Sequence, residues 1–488
     1  MLRFAWLGLW LLLASPVHAQ DANGANRGDL PFTAHRYELT ARLDPAKKQV
    51  QGAARITFTN TSPRPLEALL FHLYLNAFRD DDSVFMTESG GALRGQHAQG
   101  HGRIEVQSLV IAGRDGLPRA ERELVPKDFT QLRVPLEAPL EPGATLVIEL
   151  RFLSTLPPVF ARSGYAGDFF AVGQWFPKLA KLDADGFVGF PYHALGEFYS
   201  DFADYSLEVD APSDYAVVAS GDLVDDTPLQ ARTRHRFRAD CVHDVAFVAA
   251  RDFQLDLESV DGVLVRYLSP PGFEDALTQH AEVVRAGLRR LGEQFGKYPY
   301  GTLSVVIPPR NAPGAAGMEY PTLITTGGSW MPFPGLPSLG GAVVTAHELA
   351  HQWFYGLLAS DELHHPVLDE GLTEWASLDL MRTIYGAREG VGSVTFDRYE
   401  IERALAVRAS GIGAGMAANE YESNEYATSI YARASAALES IRRAHGVARF
   451  ERALSFYARR NRFKHPTPAD LESAFDAVYG AGFAASVL

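Results

Sequence analysis

The chain has 488 residues, of which 47% are hydrophobic and 21% charged, a composition typical of folded globular proteins and not of disordered or fibrous ones. Its formal charge of −14 argues against nucleic acids and anionic membranes as partners, because both are themselves negative. A single cysteine, Cys241, excludes an intramolecular disulfide and is typical of a small buried side chain in its apolar surroundings. The length suffices for two or three domains with sizeable cores.

Residues 1–19 have the pattern of a cleavable secretory signal. One basic residue, Arg3, precedes an apolar run from Phe4 to Ala14, and "VHA" at 17–19 supplies a small-residue cleavage site before Gln20. This apolar run is too short to span a bilayer. We therefore expect export to the periplasm or the extracellular space, without membrane insertion. Residues 20–28 are expected to be a flexible segment ahead of the folded part.

Residues 29–257 are predicted to form a β-domain. Apolar side chains recur here at every second position, as in Leu146, Ile148, Leu150 and Phe152, with polar residues between them. Turn sequences such as "EPGA" and "PSDY" separate the alternating runs. The pattern predicts an antiparallel domain of many short strands.

The period becomes helical near residue 273, so we place the domain boundary at 257/258 and a second domain at 258–488. Apolar residues from Leu277 to Phe295 follow helical spacing, and a short apolar strand and a Gly/Pro-rich loop come next. Further helices are predicted at 341–357, 366–385, 428–445, 447–460 and 468–479. The expected fold is therefore multidomain: a β-domain followed by a mainly helical α+β domain with a small sheet.

The sequence "HELAH" at 347–351 carries the chemistry. His347 and His351 lie four residues apart, so on a helix both imidazoles project from one face and reach one ion. Glu348 is rotated away from them and can address a metal-bound water without ligating the metal. Apolar residues surround this helix, and buried histidines need partners. A cation bound by both imidazoles would be such a partner.

A catalytic zinc usually has three protein ligands and one open position. A histidine ligand of the metzincin type would require Gly at 354 and His at 357, where the chain has Phe354 and Leu357. The segment "VLDEGLTEW" instead offers Glu370, with eighteen residues between His351 and it. Glu374, one helical turn further on, remains the rival ligand or an outer partner.

The sequence "HELAH", followed after eighteen residues by Glu370, resembles the gluzincin peptidases, specifically the M1 family of zinc aminopeptidases. The segment "AAGMEYP" at 315–321 is similar to the G-x-M-E-N motif of that family, with Tyr320 in place of Asn. The resemblance implies that Glu319, with Gly317 and Met318 on an edge strand, binds the free α-amino group of a peptide. "YARASAAL" at 431–438 is similar to the family's tyrosine segment and implies Tyr431 as the oxyanion donor, with Tyr426 as the competing candidate.

The segments "GQWFPKLAKLD" (173–183) and "GEFYSDFADYSLEV" (196–209) resemble the N-terminal saddle domain of the same family. The resemblance therefore implies a β saddle domain followed by a thermolysin-like catalytic domain, in the compact bacterial form without a C-terminal helical domain. A second amine-binding side chain is implied about nine residues before Pro177, which an ungapped count assigns to Asp168. His364 and His365 stand where the family often has acidic residues, and we expect them to face solvent.

The implied function is removal of N-terminal amino acids from peptides with free N-termini, with one Zn²⁺ per chain. His347, His351 and Glu370 would hold the metal, Glu348 would act as the general base, and Tyr431 would stabilise the oxyanion. The alternatives are a zinc endopeptidase with an open cleft and a non-catalytic peptide-binding module. The sequence predicts no oligomeric state.

Overall fold

The computed structural model describes residues 30–487, apart from 94, 112–113, 116–122, 126–128, 329–339, 387, 392–393, 398–403, 405 and 407–412. The predicted signal at 1–19 and the segment 20–28 lie outside the described residues. Within the described part, no helix combines the length and the apolar character that crossing a bilayer requires.

An eight-stranded sheet dominates the first domain. Its strands are, in spatial order, Asp222–Leu229, Arg232–Val242, Ala203–Pro212, Arg36–Asp44, Gln49–Thr59, Thr145–Thr155, Arg103–Ile111 and Arg114–Asp115. Ile148, Leu150 and Phe152 are buried, whereas Glu149 and Arg151 between them are exposed, which confirms the predicted alternation. One pairing differs from the antiparallel expectation, because Arg36–Asp44 runs parallel to Ala203–Pro212.

Smaller sheets complete this domain and enclose its aromatic core, in which Trp175 is fully buried. One four-stranded sheet contains Gly164–Ala166, Phe169–Val172, Phe247–Arg251 and Tyr215–Ala219, and another contains Lys178–Leu179, Leu66–His72, Gln131–Leu140 and Glu123–Val125. Two hairpins pair Lys181–Leu182 with Phe187–Val188 and Ala92–Leu93 with Gln96–His97.

The second domain begins with a four-stranded sheet of Gln254–Val260, Val263–Ser269, Thr302–Val306 and Leu323–Thr325. The predicted domain boundary at 257/258 falls inside the first of these strands, Gln254–Val260. Apolar periodicity did not reveal this edge strand because its residues are mostly exposed. A further hairpin pairs Arg388–Val391 with Val394–Asp397.

The helices lie almost entirely in the second domain. They are α1 (Val84–Ser89, in the first domain), α2 (Glu274–Phe295), α3 (Gly340–Ala350), α4 (Glu370–Tyr385), α5 (Ser423–Tyr426), a π-helix (Ala427–Arg433), α6 (Ala434–His445), α7 (Val447–Asn461), α8 (Pro468–Tyr479) and α9 (Ala484–Val487). Short 3₁₀ turns occupy Tyr74–Phe78, Pro313–Ala315, Pro366–Leu368 and Ala418–Glu420. A capping box at Thr467 and Asp470 starts α8, as its sequence indicates.

Helix α3 is shorter than the predicted helix 341–357. It ends at Ala350, and the amide of Gly356 then donates to the carbonyl of His351 at 2.8 Å, five residues back instead of four. The amides of Gln352 and Trp353 already donate to carbonyls three residues back, at 3.1 and 3.0 Å, so the regular i to i−4 ladder is interrupted directly after Ala350. The buried, apolar character of residues 351–357 made the helix look longer in the sequence.

The two domains contact each other directly beside α3. The Tyr300 hydroxyl donates to the carbonyl of Cys241 at 2.8 Å, and His243 Nε2 donates to the carbonyl of Tyr355 at 3.0 Å. All these groups are buried. The β-domain therefore forms one wall of the region into which α3 directs its polar side chains.

Candidate metal centre and active site

Two neighbouring helices bring three ligand atoms together. His347 and His351, at the end of α3, place their Nε2 atoms 3.1 Å apart. Glu370 begins α4, and its Oε2 lies 3.0 Å from His347 Nε2 and 3.3 Å from His351 Nε2. The eighteen-residue connection thus returns the chain to the same point, as the sequence predicted.

The geometry and chemistry of this triad fit zinc. Ligands about 2.0–2.1 Å from a tetrahedral ion are separated from one another by about 3.3 Å, close to the 3.0–3.3 Å found here. Two imidazole nitrogens and one carboxylate oxygen are a common donor set for catalytic zinc, with a fourth position left for water or substrate. His347, His351 and Glu370 can therefore hold one Zn²⁺.

A carboxylate contacts the Nδ1 atom of each imidazole, and Nδ1 is the ring nitrogen that does not face the metal position. Glu374 Oε2 lies 3.0 Å from His347 Nδ1, and Asp369 Oδ1 lies 2.7 Å from His351 Nδ1. Such partners fix the ring orientation and raise the basicity of the ligating nitrogen. Glu374, which the sequence left open as a rival ligand, is therefore an outer partner. The role of Asp369 was not predicted from the sequence. The available signal was an acidic residue directly before the predicted ligand Glu370.

The charges of the protein groups favour a cation at this centre. Burial acts to lower the pKa of His347, but hydrogen bonds with Glu370 and Glu374 outweigh it and raise the pKa to about 10. The pKa of Glu370 would be raised by burial, yet its hydrogen bonds with both imidazoles hold the pKa well below the usual range. The carboxylates therefore favour a positive charge at the position of the predicted metal, which protonated imidazoles or a metal cation can supply.

Glu348 is not one of the three ligands but lies beside them, with a carboxylate oxygen within 4.8 Å of a ring nitrogen of His351. Its carboxylate is buried, and one of its oxygens receives no hydrogen bond from the described residues. Burial raises its pKa to about 7, while the neighbouring imidazole of His347 acts in the opposite direction. A carboxylate with a pKa near neutrality suits proton transfer in both directions.

Tyr431, not Tyr426, contacts the metal ligands. Its hydroxyl donates to Glu370 Oε1, and its ring stacks on that of His347 with centroids 5.7 Å apart. Tyr426 packs edge-on against the Tyr431 ring at 5.8 Å. Tyr431 lies in the π-helix Ala427–Arg433, a form of helix that is frequent at functional sites.

The predicted amine-binding segment lies on the sheet edge beside the metal centre. The amide of Gly317 (φ +73°) and the amide of Met318 donate to the carbonyl of Thr325 at 2.8 and 3.1 Å. Glu319 follows, is buried, and places a carboxylate oxygen within 4.8 Å of ligand atoms of Glu348 and His351. Burial raises the pKa of Glu319 to about 7.

Tyr320, which replaces the asparagine of the motif, anchors this segment to the β-domain. A Cβ added at Gly173 would lie 1.8 Å from the Tyr320 hydroxyl oxygen, so only glycine fits opposite this tyrosine. The Ser163 hydroxyl donates to the carbonyl of Gly173 at 2.7 Å and fixes the segment that follows the strand Phe169–Val172. Tyr320 therefore takes a positioning role that the short asparagine side chain could not reach.

Asp168, which the sequence analysis predicts as a second amine anchor, has its partners elsewhere in the β-domain. Asp168 lies exposed in a turn, where it accepts a hydrogen bond from the Tyr215 hydroxyl at 2.7 Å and pairs with Arg251 at 3.1 Å. The carboxylate that the β-domain brings to Glu319 is instead Glu197, within 4.8 Å and buried. An ungapped count along the chain could not follow the loop that carries Glu197.

Two further residues take no part in this site. His364 is exposed and pairs with Asp361 at 2.8 Å, as expected for a residue that faces solvent. Cys241 is buried, and burial raises the pKa of its thiol to about 12. No chemistry is assigned to either.

The fold and the site together define a two-domain protein with a β-domain packed on a helical domain that carries an HExxH–Glu metal centre. Residues 280–486 match the family model described as "Peptidase family M1 domain". This part of the chain is therefore similar to the peptidase domains of family M1.

Comparison with individual proteins agrees with this assignment. The chain is similar to the M1 zinc metallopeptidase of Deinococcus radiodurans, with 18% identity, a TM-score of 0.64, and coverage of 94% of this chain and 93% of that one. A variant of that protein bound to a Tyr-Ser-Ala substrate gives 18% identity, a TM-score of 0.63 and 94% coverage of both chains. These likenesses show the shared two-domain fold.

One curated protein is similar over a shorter stretch. Aminopeptidase M1-B of Oryza sativa subsp. japonica is 26% identical over 184 residues, which cover 36% of this chain and 21% of the rice protein. The matched stretch thus spans about a fifth of that relative.

Proposed function

We propose that the protein is a zinc-dependent aminopeptidase that removes N-terminal amino acids from peptides. The observation that carries this proposal is the position of Glu319, a buried carboxylate within 4.8 Å of both Glu348 and the metal ligand His351. A substrate ammonium bound there puts the first peptide bond, and no later one, over the metal. The rice relative is named an aminopeptidase, and the Deinococcus structures hold amino acids or a peptide, which supports the proposal.

The bound zinc, held by His347, His351 and Glu370, would polarise the scissile carbonyl and acidify a water molecule. Glu348 would accept a proton from the attacking water and deliver it to the leaving amine, for which its pKa near 7 is suited. Tyr431 turns its hydroxyl from Glu370 to the developing oxyanion. Asp369 and Glu374 hold both imidazoles in place throughout.

Paired substrates test this function. Alanine p-nitroanilide and its N-acetyl derivative differ only in the charge and size of the amino end. Zinc-loaded protein should hydrolyse the free form, and the acetylated form should be at least about 100-fold slower, because a buried carboxylate left without its charged partner is costly. Chelation should abolish the hydrolysis, and zinc should restore it.

The same assay separates the alternatives. Equal cleavage of both forms, or cleavage only of internally placed peptide bonds, would identify an endopeptidase. Peptide binding without any zinc-dependent hydrolysis would identify a non-catalytic module, although the convergence of Glu348, Tyr431 and three ligand atoms on one point disfavours that reading.

We also propose that the protein is exported and acts in the periplasm or outside the cell. The support is the basic, apolar and small-residue pattern of residues 1–19. Cell fractionation and N-terminal sequencing test this proposal, and a mature chain beginning at Gln20 is expected. An intact N-terminus in the cytosolic fraction would refute it.

A further inference from the structure

Gln352 links the metal-binding turn to the segment that carries Glu319, and none of the proposed mechanistic steps uses it. Gln352 follows the metal ligand His351 directly and is 1% exposed. Its side-chain oxygen accepts a hydrogen bond from the amide of Thr322 at 2.8 Å. Its side-chain nitrogen donates to the carbonyl of Tyr320 at 3.2 Å and to that of Glu319 at 3.3 Å. One side chain therefore contacts three backbone groups within four consecutive residues.

The amide group of Gln352 is matched to these partners at both of its ends. A glutamine amide offers two N–H donors and one carbonyl oxygen. Here the two donors face two backbone carbonyls and the oxygen faces a backbone N–H. The reversed orientation of the amide would lose all three hydrogen bonds, and a glutamate would lack the donors. The contact therefore requires the side-chain amide.

The segment that Gln352 contacts contains a backbone conformation that needs support. Thr322 has a φ of +61°, which is rare for a β-branched residue because its Cβ crowds the backbone. Its hydroxyl oxygen accepts a hydrogen bond from the amide of Gly221 in the β-domain at 2.6 Å, and its carbonyl accepts one from the amide of Ser304 at 2.8 Å. Gln352 binds the remaining backbone group, the amide of Thr322. Conformations of this kind persist only where several contacts fix them, and they cluster at functional sites.

The same contact connects the position of Glu319 to that of the metal ligands. Glu319 has a carboxylate oxygen within 4.8 Å of a ring nitrogen of His351, the residue directly before Gln352. Because His351 and Gln352 are neighbours in one turn, a shift of that turn moves the metal ligand and the backbone of Glu319 together. The distance between the carboxylate and the metal position is therefore held by a direct link and not only by the packing of two separate elements.

We propose that Gln352 is a positioning residue, which holds the backbone of residues 319–322 at a fixed distance from the metal and so keeps cleavage at the first peptide bond. The inference rests on the proposed aminopeptidase function. Gln352 acts through Glu319 and not by contact with the substrate. Such distances matter because a misplacement of about 1 Å can cost about 100-fold in rate.

The test compares alanine p-nitroanilide with its N-acetyl derivative on zinc-loaded wild-type protein and on Gln352→Met. Methionine has a similar length but makes none of the three hydrogen bonds. On the free form, kcat/KM should fall about 10-fold to 100-fold. The slow hydrolysis of the acetylated form does not use Glu319 and should change less than about 2-fold, so the ratio of the two kcat/KM values should fall at least about 5-fold. Zinc affinity should be unchanged, because Asp369 and Glu374 hold the imidazoles.

A second background separates positioning from general support of the fold. In Glu319→Ala protein, the further change Gln352→Met should alter kcat/KM on alanine p-nitroanilide by less than about 2-fold, because the carboxylate that Gln352 positions is absent. An equal loss in both backgrounds would refute the proposal. A loss of zinc affinity in Gln352→Met would also refute it, since Gln352 would then support the metal ligands themselves.

Gln294→Met is the matched control, and it should leave the ratio unchanged. Gln294 is also buried in the second domain, and its Nε2 atom bonds nothing in the described part of the chain. Gln352→Glu keeps the acceptor for the amide of Thr322 and should lower the ratio by a smaller factor, at least about 2-fold, which provides a second variant if the methionine protein folds poorly.

The outcomes distinguish this inference from the proposed function. If wild-type protein cleaves neither substrate, the proposed function itself fails. If wild-type protein prefers the free form but both Gln352 variants keep its ratio, or if Gln294→Met lowers the ratio equally, the positioning role of Gln352 is refuted and the proposed function stands.

Discussion

Replacing Asp369 with asparagine should weaken zinc binding without altering any metal ligand. The carboxylate lies 2.7 Å from His351 Nδ1, and the two side chains are 0 and 1% exposed, so the hydrogen bond is short and shielded from water. Asparagine preserves an acceptor but removes the charge that makes the imidazole a stronger donor to the metal. Loss of such a partner typically weakens metal affinity about 10-fold to 100-fold, or about 1.4–2.7 kcal/mol.

Glu374→Gln supplies the internal comparison. Glu374 lies 3.0 Å from His347 Nδ1, and its side chain is 13% exposed, so solvent screens it more than it screens Asp369. We expect less than about a 10-fold loss of zinc affinity in this variant. Competition with a fluorescent zinc chelator measures both constants at one pH. The reasoning is refuted if Glu374→Gln weakens zinc binding as much as Asp369→Asn, or if neither variant weakens it.

Four further predictions follow from the site and the core. Glu348→Gln should keep its zinc but lose about 10²–10⁴ in kcat, measured with alanine p-nitroanilide beside zinc analysis, because the proton acceptor is gone. Tyr431→Phe should lose about 10²–10³ in kcat with little change in KM, because its hydrogen bond to the oxyanion forms only in the transition state. Gly173→Ala should destabilise the protein by about 1–3 kcal/mol in urea unfolding, because the new methyl group overlaps the hydroxyl of Tyr320. His280 is buried, and burial lowers its pKa to about 4. Between about pH 4 and 6.5 this imidazole is therefore protonated in the unfolded protein but not in the folded protein. Stability should therefore fall as the pH drops through this window, and His280→Gln should reduce the slope by about 1.4 kcal/mol per pH unit.

Each of these predictions has a clear contrary result. Full turnover in Glu348→Gln would show that Glu348 is not the general base. An unchanged kcat in Tyr431→Phe would favour Tyr426 as the oxyanion donor, and Tyr426→Phe is the control variant. Wild-type stability of Gly173→Ala would mean that Tyr320 does not approach residue 173. An equal pH slope in the wild type and His280→Gln would mean that this imidazole is protonated in the folded protein.

Local spacing was enough to predict the metal ligands. A spacing of four positions from His347 to His351 places two imidazoles on one helical face whatever the rest of the fold, and the eighteen residues that follow allow a return to Glu370. The alternation around Ile148 likewise fixed a strand, because the period of two is a property of the backbone. These features depend on short stretches of chain, and the structure contains them.

Features that depend on tertiary contacts were not predictable. Glu197 and Glu362 reach Glu319 from segments more than 40 residues from it in the chain, so no spacing relates them to it. Asp168 was predicted as an amine anchor from an ungapped count, and the residues next to it in the sequence do not indicate the turn that exposes it. The early end of α3 depends on backbone hydrogen bonds that leave the i to i−4 pattern after Ala350, whereas the apolar pattern continued past it.

Anomalous diffraction at the zinc absorption edge, from crystals of protein purified without added metal, tests the central claim most directly. We predict one strong peak per chain, bonded to Nε2 of His347, Nε2 of His351 and a carboxylate oxygen of Glu370. A map with no peak there after zinc soaking, or with a peak bound by other residues, would contradict the account.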